Sequence, residues 1–350
     1  MNNIEFSWFA PTSGDYEYVN SPEPMVPPSI DYIVKIAKKA ESAGFNDILI
    51  PIDPRCMDPI VTASYILQET NKLNTLIAYR PGITSPQTLA TMLSTLDNNK
   101  NRVKLNVVQG TPKDALMQGY RFPEPEKKAM HLQSFSRALK KLLSSEGKHA
   151  HRDDFFEYEK ATVNPSFSRP PKMFIGGGLP AMKIASELYD YYLTFGDTVE
   201  KISEYVIAAK KYSEDNFNRK IKFGMGINIV ARESKEEAYN DCLKLLHGVT
   251  DEQLKEMEKL YKKRKALGNR DYMDLVKKDF ILEENLWLGL AQVRFGPVAT
   301  IYGSYEEVAN KIMDYHSVEI DYFSLTGYPY MEEVENVGKV IELIKVSVTS

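Results

Sequence analysis

Cysteine is scarce: the 350 residues contain two, Cys56 and Cys242, in unlike surroundings. That argues against a disulfide framework and makes a reducing compartment, the cytoplasm, the expected location. Long apolar runs are missing too, and none approaches the ~20 residues of a membrane-spanning helix. The opening stretch MNNIEFSWFAPTSGDYEY has no basic segment followed by an apolar core, so no secretory signal is expected. Neither sign of charge dominates. With 44 Lys and Arg against 48 Asp and Glu, the formal net charge is −4, which gives no electrostatic reason to expect a nucleic acid or an anionic membrane as partner.

Several catalytic signatures are absent as well. No nucleophile elbow or Walker-type loop occurs, and Ser13-Gly14 is not the glycine fingerprint that an open dinucleotide-binding sheet carries after its first strand. The five histidines, His131, His149, His151, His247 and His316, fall away from the expected strand ends. No metal site is therefore expected, and His149-Ala150-His151 beside Asp153 and Asp154 reads as a solvated loop. Cys56 lacks a strand-end histidine and is a poor thiol-protease nucleophile.

What the chain does contain is alternation. Short β-rich runs at Ile4–Phe9, Asp47–Ile50, Asn74–Tyr79, Val103–Val108, Met173–Ile175, Tyr191–Thr194, Ile221–Ala231 and Ile320–Leu325 are mostly separated by one helical pattern each. In Pro28–Ala43, for example, Ile33, Ile36, Ala37 and Ala40 recur at helical spacing, and Gly44 supplies the stop. This rhythm has no linker-like break, and it predicts a single (β/α)8 TIM barrel with insertions over residues 1–350. Two stretches depart from it. Residues 149–167 are expected to be a surface insertion whose turn residues suit a hairpin, and 249–300 an insertion or lid segment, charged and helical with no strand evident over Thr250–Leu290.

In such a barrel the chemistry gathers just past the C-terminal ends of the strands. The polar residues there include Trp8, Cys56, Tyr79, Arg80, Asn106, Asn228, Arg294 and Tyr328. A strand-end aromatic serves as packing about as often as it serves chemistry. Gly176-Gly177-Gly178 ahead of a helix starting at Pro180 could offer backbone amides to an anion, although a tight turn uses the same residues.

With those strand ends in view, the sequence resembles the bacterial luciferase-like flavin monooxygenases, most closely the alkanesulfonate monooxygenase branch. The matching stretches are Phe6-Ser7-Trp8-Phe9-Ala10-Pro11-Thr12, Ile48-Leu49-Ile50-Pro51 with Cys56, Arg80-Pro81, Leu105-Asn106-Val107-Val108, Leu193-Thr194-Phe195-Gly196, Val293-Arg294, Tyr302 to Ala309, and Leu325-Thr326-Gly327-Tyr328-Pro329. The resemblance implies a homodimeric or homotetrameric barrel that takes reduced FMN from a separate NAD(P)H-dependent flavin reductase and uses O2 on a small-molecule substrate. It places Cys56, Arg294 and Tyr328 in the catalytic site. Tyr79, Arg80, Asn106, Lys128, Gly176, Gly177 and Gly178 fall on the cofactor side, and Trp8, Gly226 and Asn228 in the substrate pocket.

Two departures from the branch stand out. Gly226 and Asn228 occupy positions where the sulfonate enzymes carry an arginine and a histidine. A pocket without that charge is expected to act on something other than a simple alkanesulfonate. On the cofactor side, Lys128-Ala129-Met130 replaces Arg-Tyr-Glu, and Gly176-Gly177-Gly178-Leu179 replaces Gly-Gly-Ser-Ser. The alternatives are a retained alkanesulfonate reaction, with Arg294 alone holding the sulfonate, and a flavin-free, non-catalytic subunit on the same barrel.

Overall fold

A computed structural model describes residues 4–144, 146–264, 275, 278–294 and 296–349. The strand-helix alternation builds a (β/α)8 barrel with insertions, whose barrel strands run parallel to their neighbours. Contacts divide the chain into two compact units. One comprises Met1–Asn46, Thr194–Val206 and Gly224–Ser350, and the other Asp47–Leu193 and Ile207–Phe223.

In the second unit, strands Asp47–Ile50, Asn74–Tyr79, Val103–Val107, Met173–Gly176 and Tyr191–Phe195 lie side by side in that order. Asp47–Ile50 is buried at every position, as expected of a parallel strand covered on both faces. Local signals after the strands start the helices. Asp58 accepts the Val61 amide with Pro59 in the first turn, and Ser85 does the same for Thr88 ahead of Pro86. Both patterns satisfy amides that a helix start leaves open, and proline has no amide to lose there.

In the first unit, strand Glu5–Phe9 pairs with Ile320–Thr326, with Trp8 opposite Leu325. The long strand Lys222–Arg232 pairs through its second half with Thr300–Ser304, with Asn228 opposite Thr300. Helix Ile30–Ser42 buries Ile33, Ile36, Ala37 and Ala40 and is capped by Ser29. Gly44 follows it at φ +88°, a left-handed position that suits glycine.

Three elements differ from the sequence expectation. The stretch expected to be strand-free contains an antiparallel hairpin, Ile281–Glu283 with Leu286–Trp287. Its strands are too short for periodicity to register, and its turn uses Asn285 at φ +60° where glycine would have been a clearer signal. Thr300–Ser304 is a strand although Gly303 interrupts its β-forming run. Pro112–Gln118 is a short helix started by a Thr111/Asp114 capping box. It leaves Leu116 and Met117 exposed, so it has no amphipathic signature.

Within 149–167, His149–Arg152 and Glu157–Ala161 form an antiparallel hairpin. Of the 249–300 segment, helix Asp251–Arg264 is described, whereas 265–274, 276, 277 and 295 lie outside the described residues. No helix among the described residues is long and apolar enough to cross a membrane.

Candidate active site

Three of the sequence-derived candidates meet in the first unit. Arg294 follows the short 3-10 turn Gly289–Gln292. Its Nη1 donates to the Tyr328 hydroxyl at 2.9 Å, and its Nη2 donates to Asn228 Oδ1 at 2.7 Å and to the Pro297 carbonyl at 2.8 Å. The guanidinium also lies 5.8 Å from the centre of the Tyr328 ring, close enough for cation–π attraction. The Arg294 carbonyl accepts the Tyr261 hydroxyl at 2.8 Å, tying this loop to helix Asp251–Arg264. Arg294 Nε is buried and has no acceptor among the described residues.

Asn228 sits on the strand Lys222–Arg232, almost wholly buried at 2% exposure. Gly226 lies two residues earlier on the same strand face. A Cβ built there would come no closer than 3.9 Å to Phe195 and 4.0 Å to the Thr194 carbonyl, so the position has room for one. Phe195 itself is 59% exposed.

Tyr328 leads into the last helix, and Tyr330 at that helix start joins it to Trp8. The Tyr330 ring lies 5.0 Å from that of Tyr328 and 6.3 Å from that of Trp8, edge-on to both. Burial, followed by the neighbouring Tyr328, pushes the Tyr330 hydroxyl well above the ordinary tyrosine range, with Arg294 opposing. Tyr330 therefore stays protonated at neutral pH. The Trp8 indole N–H and the Thr300 hydroxyl are further buried groups without partners among the described residues.

The second unit holds the remaining candidates. Cys56 is half-buried and outside any disulfide, and its amide donates to the Asp53 carbonyl at 3.0 Å. Tyr79 donates to Thr84 at 3.2 Å. Arg80 is buried and largely committed: it donates to Gln118 at 2.6 Å and to the Ile52 carbonyl at 3.1 Å, and it pairs with Asp114 at 3.4 Å. Asn106 keeps a buried Oδ1 without a partner among the described residues. Gln109 donates to the Lys128 carbonyl at 2.8 Å, while the Lys128 ammonium lies 5.5 Å from the Phe122 ring centre.

Gly178 precedes helix Leu179–Leu188, and no side chain caps that helix. A Cβ at Gly178 would meet nothing within 4 Å. Next to this turn is a groove of about 380 Å³ whose lining includes Met130, Leu179, Pro180, Lys183 and Tyr212. Among the described residues, no group of His, Cys, Asp and Glu is placed to hold a metal ion.

A sequence profile described as luciferase-like monooxygenase matches residues 4–322. The chain belongs to the luciferase-like monooxygenase family. As a member of it, the protein is an enzyme of the flavin-dependent monooxygenase type. Solved structures agree on the fold. The EDTA monooxygenase of Chelativorans sp. BNC1 is similar over 99% of this chain and 94% of its own, at 14% identity and a TM-score of 0.77. The oxygenating constituent of 3,6-diketocamphane monooxygenase from Pseudomonas putida, solved with FMN, is similar over 97% and 98%, at 15% identity and a TM-score of 0.69. The coenzyme F420-dependent tetrahydromethanopterin reductase of Methanopyrus kandleri is similar over 98% and 99%, at 16% identity and a TM-score of 0.70.

Sequence reasoning missed Tyr330, Tyr261, Pro297 and the two side chains that occupy Arg80. The Thr111-Pro112-Lys113-Asp114 pattern could have revealed one of the latter, because a capping box predicts the helix that carries Asp114 and Gln118.

Proposed function

We propose that this luciferase-like enzyme is the oxygenating component of a two-component system. It uses reduced FMN, delivered by an NAD(P)H-dependent reductase, and O2 to oxidise a small organic substrate other than a simple alkanesulfonate. The observation that carries this reading is the Arg294–Tyr328–Asn228 cluster. It holds a cation without a carboxylate partner among the described residues, beside an open wall at Gly226.

The residues available fit a flavin. Asn106 Oδ1 is a buried acceptor without a donor, and the open turn at Gly178 leads an uncapped helix start, where backbone amides and the helix dipole suit a phosphate. Lys128 would add charge there. Arg80, with Asp114 and Gln118 on its guanidinium, would shape the site more than grip the phosphate. Bound reduced flavin would supply the electrons that activate O2.

Arg294 would hold the substrate's polar end and Tyr328 would orient it. The Tyr328 oxygen already accepts from Arg294, so its own proton is directed to another acceptor. Cys56 would line the flavin side, and Trp8 would wall the pocket through Tyr330. The 249–300 segment would exclude water, through the Tyr261–Arg294 contact. The functional unit would be a homo-oligomer in the cytoplasm.

Anaerobic titration with reduced FMN, then oxygen uptake with a flavin reductase and NADH, tests the reading. Saturable FMN binding and substrate-dependent oxygen uptake are expected. No binding at saturating FMN overturns it, and selective binding of reduced F420 would move the enzyme to hydride transfer.

A further inference from the structure

Glu333 is a buried charge that the site described above leaves unused. It stands in the first turn of the last helix, Tyr330–Thr349, where an acidic residue suits the helix dipole. Glu332 beside it can do that from the surface, but Glu333 is buried to 2% exposure, and a buried carboxylate is costly unless it is paired. Its partner is Arg232, the last residue of strand Lys222–Arg232. Arg232 Nη1 donates to Glu333 Oε2 at 3.0 Å and Nη2 donates to Oε1 at 2.7 Å, a two-pronged grip with little freedom of angle. Arg232 Nε donates to Asp241 Oδ2 at 2.6 Å, so helix Lys235–Lys244 holds the guanidinium from its other edge.

The gripped residue brackets Tyr328. On one side of it, the Glu333 amide donates to the Pro329 carbonyl at 3.0 Å. On the other, Gly327 is packed so closely that a Cβ would come within 2.9 Å of Glu333 Cβ and 3.2 Å of the Ile229 carbonyl, which belongs to the same strand as Arg232. That strand also carries Asn228, whose Oδ1 accepts Arg294 Nη2 at 2.7 Å. One strand therefore sets both ends of the 2.9 Å bond from Arg294 Nη1 to the Tyr328 hydroxyl. It holds Arg294 through Asn228, and Tyr328 through Arg232 and Glu333.

We propose that Arg232 and Glu333 are positioning residues that fix the Tyr328 turn to strand Lys222–Arg232 and so keep the Tyr328 hydroxyl within hydrogen-bond reach of Arg294. The task of Tyr328 in turnover rests on the function proposed above, whereas its placement is a property of the chain alone. Glu333→Gln would keep the volume and one acceptor but would turn an amide NH₂ toward the guanidinium, donor against donor. Arg232→Lys would keep the charge and lose the second prong.

The test uses the full chain without flavin, labelled with 3-fluorotyrosine, and reads the ¹⁹F resonance of Tyr328, assigned by its loss in Tyr328→Phe. In the otherwise unaltered chain Arg294→Ala should shift this resonance, because the bond between the two residues is lost. In a Glu333→Gln background Tyr328 has already left Arg294, so Arg294→Ala should no longer shift it. Asp241→Asn, which weakens only the outer contact of Arg232, should leave the full shift in place. The proposal is overturned if Arg294→Ala shifts the Tyr328 resonance as far in Glu333→Gln as in the unaltered chain. It is overturned too if Asp241→Asn abolishes the shift as completely as Glu333→Gln does, because the effect would then be a general loosening. Arg232→Lys gives the same reading where Glu333→Gln does not fold. In turnover, Glu333→Gln should lower substrate-dependent oxygen uptake by roughly tenfold to a hundredfold, the scale expected when a reacting group is displaced, with reduced-FMN affinity unchanged. Absence of any FMN-dependent oxygen uptake would sink the proposed function and leave the resonance results standing.

Discussion

The carboxylate of Asp15 caps the helix that begins at Tyr330. Its Oδ1 accepts the Tyr330 amide at 2.9 Å and its Oδ2 the Met331 amide at 3.2 Å, and the Tyr32 hydroxyl donates to Oδ2 at 2.7 Å. Asp15 is fully buried, so no water can replace these bonds. Asp15→Ala should lower unfolding stability by about 2–3 kcal/mol, combining a lost cap with buried donors left open. Because Tyr328 lies two residues before the capped position, turnover should fall as well. Urea unfolding together with steady-state kinetics checks both. A stability loss under ~0.5 kcal/mol would mean that the cap is dispensable.

Arg294→Ala should separate catalysis from cofactor binding. Its partners are Tyr328, Asn228 and the Pro297 carbonyl, whereas the proposed flavin contacts lie on other residues. Turnover should drop by roughly 10²–10³, the scale seen when one preorganised donor is removed from an active site, with reduced-FMN affinity changed little. Equal losses in both would remove Arg294 from the substrate side.

Gly226 should behave as a glycine kept for function. A Cβ there meets nothing closer than 3.9 Å, and glycine inside a strand weakens it relative to alanine. Gly226→Ala should therefore be neutral or more stable by about 0.5–1 kcal/mol, while kcat/KM for the native substrate falls. A destabilised variant with unchanged kcat/KM would assign the position to packing.

Alkali should unfold this protein early. Burial pushes the Tyr158 hydroxyl from 10.0 up to about 12, and burial is also the leading cause of the raised values of Tyr32, Tyr189 and Tyr315. Above the ordinary tyrosine value the unfolded chain loses protons that the native protein keeps. The stability these tyrosines contribute is full below that value and is lost as pH rises from 10 toward 12. Urea midpoints measured at about pH 9, 10 and 11 should fall steeply over the last step. A flat profile would show that the buried phenols ionise without cost.

Local signals made most of the fold legible. Asp47–Ile50 and Asn74–Tyr79 have the bounds that their β-rich runs predict, and prolines at 59 and 86 mark two helix starts. The hairpin at 281–287 was not legible, because pairs this short are set by their packing. Thr300–Ser304 is paired to Asn228–Arg232, some 70 positions away, and its own composition is mixed. At the site, Arg294 and Tyr328 were legible as polar residues near strand ends, and only the resemblance singled them out as catalytic. The Asp15 cap and the Tyr261 contact were not, because both join distant positions whose residue types are common in turns and helices.

The bond from Tyr261 to the Arg294 carbonyl divides the cluster by origin. Asn228 is fixed by strand register and Tyr328 lies two residues past the strand Ile320–Thr326, but Arg294 lies on the stretch between helix Asp251–Arg264 and strand Thr300–Ser304, outside any strand. Insertions or deletions in that segment could therefore retune the reach of the charge while the barrel strands stay unaltered.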